Sequence, residues 1–114
     1  MELDNYFRGI ELFNRGEFFD AHEVLEDVWR AAPAHEKKFL QGVVQIAVAF
    51  HHYSTGNRVG MKSVLERAIR NLAEDPGRWQ VFDLETLVAS LNRWRGALDE
   101  GRELPPLPRI QRLP

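Results

Sequence analysis

Apolar residues recur along this chain at steps of three and four almost from end to end, the spacing of helices with one buried face. Phe7, Ile10 and Phe13 mark a first helix over residues 4–15, and Gly16 supplies the left-handed residue that commonly ends one. A second helix is expected over residues 17–31. Pro33 then closes the loop, because a residue without an N–H costs nothing in the first turn of the helix that follows. That third helix, residues 34–54, is apolar on most sides between Phe39 and Phe50, which predicts the buried centre of a bundle. Gly56 stops it. Asn57 is a good N-cap for a fourth helix over residues 58–73, with Val64, Leu65, Ala68 and Leu72 inward. Asp75-Pro76-Gly77 reads as a turn. Asp83 caps a fifth helix over residues 84–99, with Leu84, Leu87, Val88, Leu91 and Leu98 on one side, and Gly101 ends it. Alternation of period two appears only weakly, around Trp79–Phe82.

An echo runs through the first two-thirds of the chain at a spacing of 40 residues. Phe13, Gly16, Val24, Leu25, Glu26 and Arg30 fall on Tyr53, Gly56, Val64, Leu65, Glu66 and Arg70. The unit is a helix, a glycine stop and a second helix, used twice, and is similar to tetratricopeptide and related helical-hairpin repeats. Two units are fewer than the three or so that a free solenoid needs. The expected fold is therefore all-α: a compact bundle of about five helices built on two helical hairpins, with the fifth helix as lid. Residues 1–103 form its single domain. Residues 104–114 hold four of the six prolines and form a proline-rich C-terminal tail that cannot be helical.

Composition narrows the function classes. The chain has 114 residues, 44% apolar and 28% charged, an ordinary globular mixture. With no cysteine, disulfide scaffolds, thiolate metal sites and cysteine nucleophiles are out. The run from Phe39 to Phe50 is too short to cross a bilayer, and the acidic start Met1-Glu2-Leu3-Asp4 is unlike a signal peptide. A cytoplasmic protein with no membrane partner is expected. Residues 1–36 carry nine acids and three bases, whereas residues 37–114 carry eight acids and twelve bases. Neither half approaches the basic stripe that displaces counterions from phosphates, so nucleic acid is not an expected partner. Spare aromatics would suit a homodimer, although no residue pattern specifies one.

The candidate chemistry lies on the second and third helices. On a wheel of 100° per residue, Phe18, Ala21, Leu25, Val28 and Trp29 form an apolar arc. His22 and Glu26 sit at its edge one turn apart, with Arg30 beside Glu26. Gln41, Gln45, Val48 and His52 share one stripe of the third helix. Unpaired polar groups in apolar surroundings cost about 1–3 kcal/mol each. The two stripes are therefore expected to face each other across a small polar cavity lined by His22, Glu26, Gln41, Gln45 and His52, with Trp29 as a wall. Three readings of that cluster stand: a network satisfied within the protein, a pocket for a small polar or cationic ligand with Glu26 as counter-charge, and a divalent metal site. The last would use His22, Glu26 and His52, the two-imidazole, one-carboxylate set of open zinc or non-haem iron sites and of a metal-dependent hydrolase. His22-Glu23-Val24-Leu25-Glu26 begins like the metalloprotease motif but has Glu26 where its second histidine belongs. A helical-hairpin module that docks a protein partner, through the repeat or the proline tail, is the remaining class. His51 and His35 are expected on the surface, and Trp79 and Trp94 in the core or at an interface. Whether the chain is an enzyme is not encoded in any of these motifs.

Phe13-Asn14-Arg15-Gly16-Glu17-Phe18-Phe19-Asp20-Ala21-His22-Glu23-Val24-Leu25-Glu26-Asp27-Val28-Trp29-Arg30, followed by Phe39-Leu40-Gln41-Gly42-Val43-Val44-Gln45-Ile46-Ala47-Val48-Ala49, His52 and Gly56-Asn57-Arg58-Val59-Gly60, resembles a small prokaryotic family. That family is catalogued as domain of unknown function three hundred and nine. The resemblance covers about residues 5–73. It implies a compact helical bundle with no established activity. The family pattern marks His22, Glu23, Glu26, Trp29, Arg30, Gln41, Gln45, His52, Gly56, Asn57 and Gly60. Met61 stands where alanine is more usual, which implies altered packing under the fourth helix.

Overall fold

The computed structural model describes residues 2–114. Five helices follow one another: α1 (Glu2–Asn14), α2 (Phe18–Ala31), α3 (Lys37–Ser54), α4 (Arg58–Leu72) and α5 (Leu84–Glu100). One-turn 3-10 helices stand before α3 (Ala34–Glu36) and before α5 (Gly77–Trp79). Pro33 therefore opens a 3-10 turn rather than the α-helix itself. The two hairpins turn on glycines that a side chain would strain: Gly16 has φ 81° and Gly56 has φ 80°. Asn57 and Asp83 cap α4 and α5 by accepting hydrogen bonds from the backbone N–H groups of Gly60 and Thr86, at 2.9 and 3.1 Å.

Each helix packs on the next, α1 on α2, α2 on α3, α3 on α4 and α4 on α5. The echo is visible as two hairpins, α1–α2 and α3–α4, joined side by side through α2 and α3. Within each hairpin the helices approach closely at a glycine. A methyl group on Gly9 would meet Leu25 Cγ at 2.6 Å, and one on Gly42 would meet the backbone nitrogen of Leu72 at 3.0 Å.

Aromatic edges lock the elements. Phe13 of α1, Phe18 of α2 and Phe50 of α3 meet with ring centroids 5.2–5.9 Å apart, and Phe50 stands edge-on to Trp94 of α5 at 5.0 Å. Tyr6 is fully buried, and its hydroxyl donates to the Trp79 carbonyl at 2.9 Å. Burial pushes the Tyr6 phenol far above its ordinary pKa. Met61, Trp79 and Trp94 are all buried.

The proline-rich segment lies on the bundle. Ile110 is buried, and Asn14 grips its backbone from both sides, donating to its carbonyl at 2.9 Å and accepting from its N–H at 2.8 Å. Trp94 Nε1 donates to the Pro106 carbonyl at 3.0 Å. The weak alternation around Trp79–Phe82 corresponds to a single antiparallel bridge between Phe82 and Arg112.

The third helix is the buried centre its sequence predicts, with Phe39, Leu40, Gly42, Val43, Ile46, Ala47, Ala49 and Phe50 buried, although Lys38 and Gln41 are exposed. α3 thus sits between α2 and α4 with one side open to water. One expectation needs correction: that open side carries the polar stripe, so the stripe does not line an enclosed cavity.

Candidate functional site

His22 and Glu26 face the same way on α2, one turn apart, and both are half-buried. His22 Nε2 donates to Glu26 Oε2 at 2.7 Å. The other oxygen, Oε1, accepts from Arg30 Nη2 at 2.6 Å. Arg30 Nη1 reaches Asp27 at 2.9 Å. The helical steps of four, four and three residues make this a linear relay along the outside of α2, each bond charge-assisted when its partners are charged. A surface depression of about 200 Å³ runs beside it, lined by His22, Glu23, Glu26, Asp27 and Arg30.

The stripe on α3 does not face this relay across a hollow. Gln41 is exposed. Gln45 is half-buried, and its side-chain oxygen accepts from Asn71 Nδ2 of α4 at 2.9 Å, so it is turned toward the second hairpin rather than toward α2. Apart from Tyr6, Trp79 and Trp94, whose single polar atoms sit in the core, no polar or charged side chain among the described residues is fully buried. The expected enclosed cavity is replaced by an open face. The physical reason is the placement of α3: its neighbours occupy its two flanks, leaving the stripe at the rim between them.

His22 and His52 nevertheless lie on the same side of the molecule. Phe19 is centred 6.0 Å from the His22 ring and 5.4 Å from the His51 ring, and His51 is followed by His52 at 6.4 Å. His52 Nδ1 is 3.4 Å from the Asn57 amide, at the glycine turn into α4. Three imidazoles and a phenyl ring thus form one continuous strip across α2 and α3. Among the described residues no three His, Asp or Glu side chains are grouped to hold a metal ion, so His22, Glu26 and His52 do not converge. The rings of Phe19 and His51 stand between His22 and His52.

Trp29 does not wall the depression. Its ring is covered by Lys37, whose Nζ lies 4.5 Å from the ring centroid and donates to the carbonyls of Trp29 and Arg30 at 2.9 and 3.1 Å. One lysine therefore caps the C-terminal end of α2 and occupies the aromatic face that a cationic ligand would have used. Trp29 Nε1 is buried and has no hydrogen-bond partner among the described residues.

The open aromatic face belongs instead to Phe19, 52% exposed although every other phenylalanine is at least partly covered. Sequence reasoning passed over Phe19 and placed His51 simply on the surface. A signal was present: Phe19 lies outside the apolar arc of α2 and three residues before His22, which puts it on the same helical face.

The family model for Domain of unknown function (DUF309) matches residues 6–64. The chain belongs to this family. The DUF309 match runs from α1 into α4 and contains both hairpin turns and every residue of the strip. An uncharacterized protein of Aquifex aeolicus (strain VF5) is 32% identical over 90 residues, which cover 78% of this chain and 27% of that protein. The uncharacterized protein YpuF of Bacillus subtilis (strain 168) is 33% identical over 64 residues, covering 55% of this chain and 37% of that protein. The chain spans roughly a third of the length of these curated relatives. No helix among the described residues is long and apolar enough to cross a membrane.

Proposed function

We propose that this DUF309 chain is a binding domain for a small organic cation, which it takes on the open face of α2 and α3. The observation that carries this reading is the exposed Phe19 ring beside His22, whose imidazole is tied to Glu26 in a depression with two further carboxylates, Glu23 and Asp27. Three carboxylates against one arginine leave that depression acidic. A ligand with an ammonium head and a flat apolar body would place the head among the carboxylates and the body on Phe19.

An aromatic contact on Phe19 and an exposed ion pair are each worth about 0.5–1 kcal/mol, so a minimal ligand binds with a Kd of tens to hundreds of millimolar. The test uses two probes with the same ring and opposite charge. Benzylamine should shift the ring resonances of Phe19 and His22 saturably. Benzoate should not. Equal shifts from both probes, or none from benzylamine, would sink the reading.

A second reading has one observation in its favour. Both relatives are longer than this chain, the matched stretches covering 27% and 37% of them, which suits a face that docks another polypeptide segment.

A further inference from the structure

A separate groove lies on the other main feature of the chain, the edge where α5 meets the proline-rich segment. It has a volume of about 290 Å³ and is lined by Asp83, Thr86, Ser90 and Arg93 of the α5 side and by Pro105–Pro108, Arg109 and Gln111 of the tail. Its donors and acceptors are unevenly committed. The Asp83 carboxylate is spent on Thr86, accepting from its N–H at 3.1 Å and from its hydroxyl at 2.7 Å. Those bonds hold Asp83 below the usual aspartate pKa. The Pro106 carbonyl accepts from Trp94, and the proline nitrogens donate nothing. Arg93 and Arg109, in contrast, make no ion pair and no hydrogen bond among the described residues, nor does the Ser90 hydroxyl.

We propose that this groove is an anion site, and that Arg93 and Arg109 together take a small oxyanion, the phosphate or carboxylate group of a metabolite-sized ligand. Arginines from two different elements line one groove, and the single carboxylate there is already bonded. Planar forks suit the paired oxygens of phosphates and carboxylates better than a point charge does. The volume is at the small end for ligand pockets, which fits a compact anion. The tail supplies one of the two arginines, so the groove exists only while residues 104–114 are docked. That gives the proline-rich segment a functional part besides covering Ile110.

The experiment titrates the whole chain with inorganic phosphate, with citrate and with chloride at matched ionic strength, following amide and guanidinium resonances. Phosphate or citrate should shift Ser90, Arg93 and Arg109 saturably, and chloride should not. Saturation by phosphate alone identifies a phosphoryl ligand; saturation by citrate alone identifies a carboxylate. The double variant Arg93→Gln/Arg109→Gln should weaken binding about tenfold or more. Both residues are exposed, so folding should survive, and a helical circular dichroism spectrum checks it. The double variant Arg58→Gln/Arg70→Gln, an equal charge change at exposed positions elsewhere, should leave binding unchanged. Shifts reproduced by chloride, absence of saturation, or a double variant that binds as tightly as the wild type would each overturn the proposal.

Discussion

Asn14→Ala tests whether the C-terminal segment is part of the fold or an accessory to it. Asn14 ends α1 and holds Ile110 through two hydrogen bonds of 2.9 and 2.8 Å. Each such bond is worth about 0.5–1.5 kcal/mol net, so losing the pair should cost about 2 kcal/mol. The loss should not be larger, because other ties keep the segment docked: Asp83 N–H donates to the Gln111 carbonyl at 2.7 Å, and Leu113 N–H to the Val81 carbonyl at 3.0 Å. Unfolding entropy near 2.1 cal/mol/K per residue gives roughly 0.24 kcal/mol/K for a chain of this size, so 2 kcal/mol lowers Tm by about 8 °C. The assay is urea and thermal denaturation, with amide exchange of Ile110 and Asp83 read alongside. An unchanged urea m-value, a Tm lower by roughly that amount and faster exchange at Ile110 are expected. A Tm shift under about 2 °C would refute the reasoning and make the tail's contacts energetically idle. The same variant should also weaken anion binding, since Arg109 is next to the released residue.

Four further outcomes follow from the geometry. Tyr6→Phe deletes the donor to the Trp79 carbonyl in a fully buried setting and should cost about 1–3 kcal/mol in urea denaturation. Glu26→Gln, on an exposed relay, should change stability by less than about 1 kcal/mol while weakening benzylamine binding. The Arg78 guanidinium, bonded to Glu36 at 3.0 and 3.1 Å, holds the Glu36 carboxyl below the usual glutamate pKa. A lowered folded-state pKa adds stability above the unfolded value and loses it as pH falls through the folded one, so Glu36→Gln should flatten the acid limb of the stability–pH curve. Asp83→Asn keeps a good N-cap for α5 but removes the carboxylate from the anion groove, and should tighten phosphate binding in a calorimetric titration.

Helices were legible because each was written at two levels. The periodic apolar residues of α4, Val64, Leu65, Ala68 and Leu72, are all buried, and its cap Asn57 and its glycine stop Gly56 sit where their chemistry requires. Agreement between pattern, cap and turn is what makes boundaries readable from one sequence. The candidate site was legible only in part. The i, i+4 pairing of His22 with Glu26, and the attachment of Arg30, follow from helix geometry alone, and the structure shows both bonds. Tertiary partners do not follow from a wheel. Gln45 could turn toward either flank of α3, and the choice depended on Asn71, a residue from the second hairpin with no periodic signal of its own. Lys37 over Trp29 was equally invisible, because a long flexible side chain reaches a neighbouring helix end without any spacing rule. Phe19 was obscured by its own hydrophobicity: an aromatic on a helix is ordinarily assigned inward, and only its neighbours on the wheel say otherwise.

Calorimetric titration of benzylamine into the wild type, Phe19→Ala and Glu26→Gln addresses the α2–α3 face most directly. Each substitution should lower the affinity by about two- to fivefold while leaving the helical spectrum intact. Identical isotherms for all three proteins would contradict the assignment of that face to a cationic ligand.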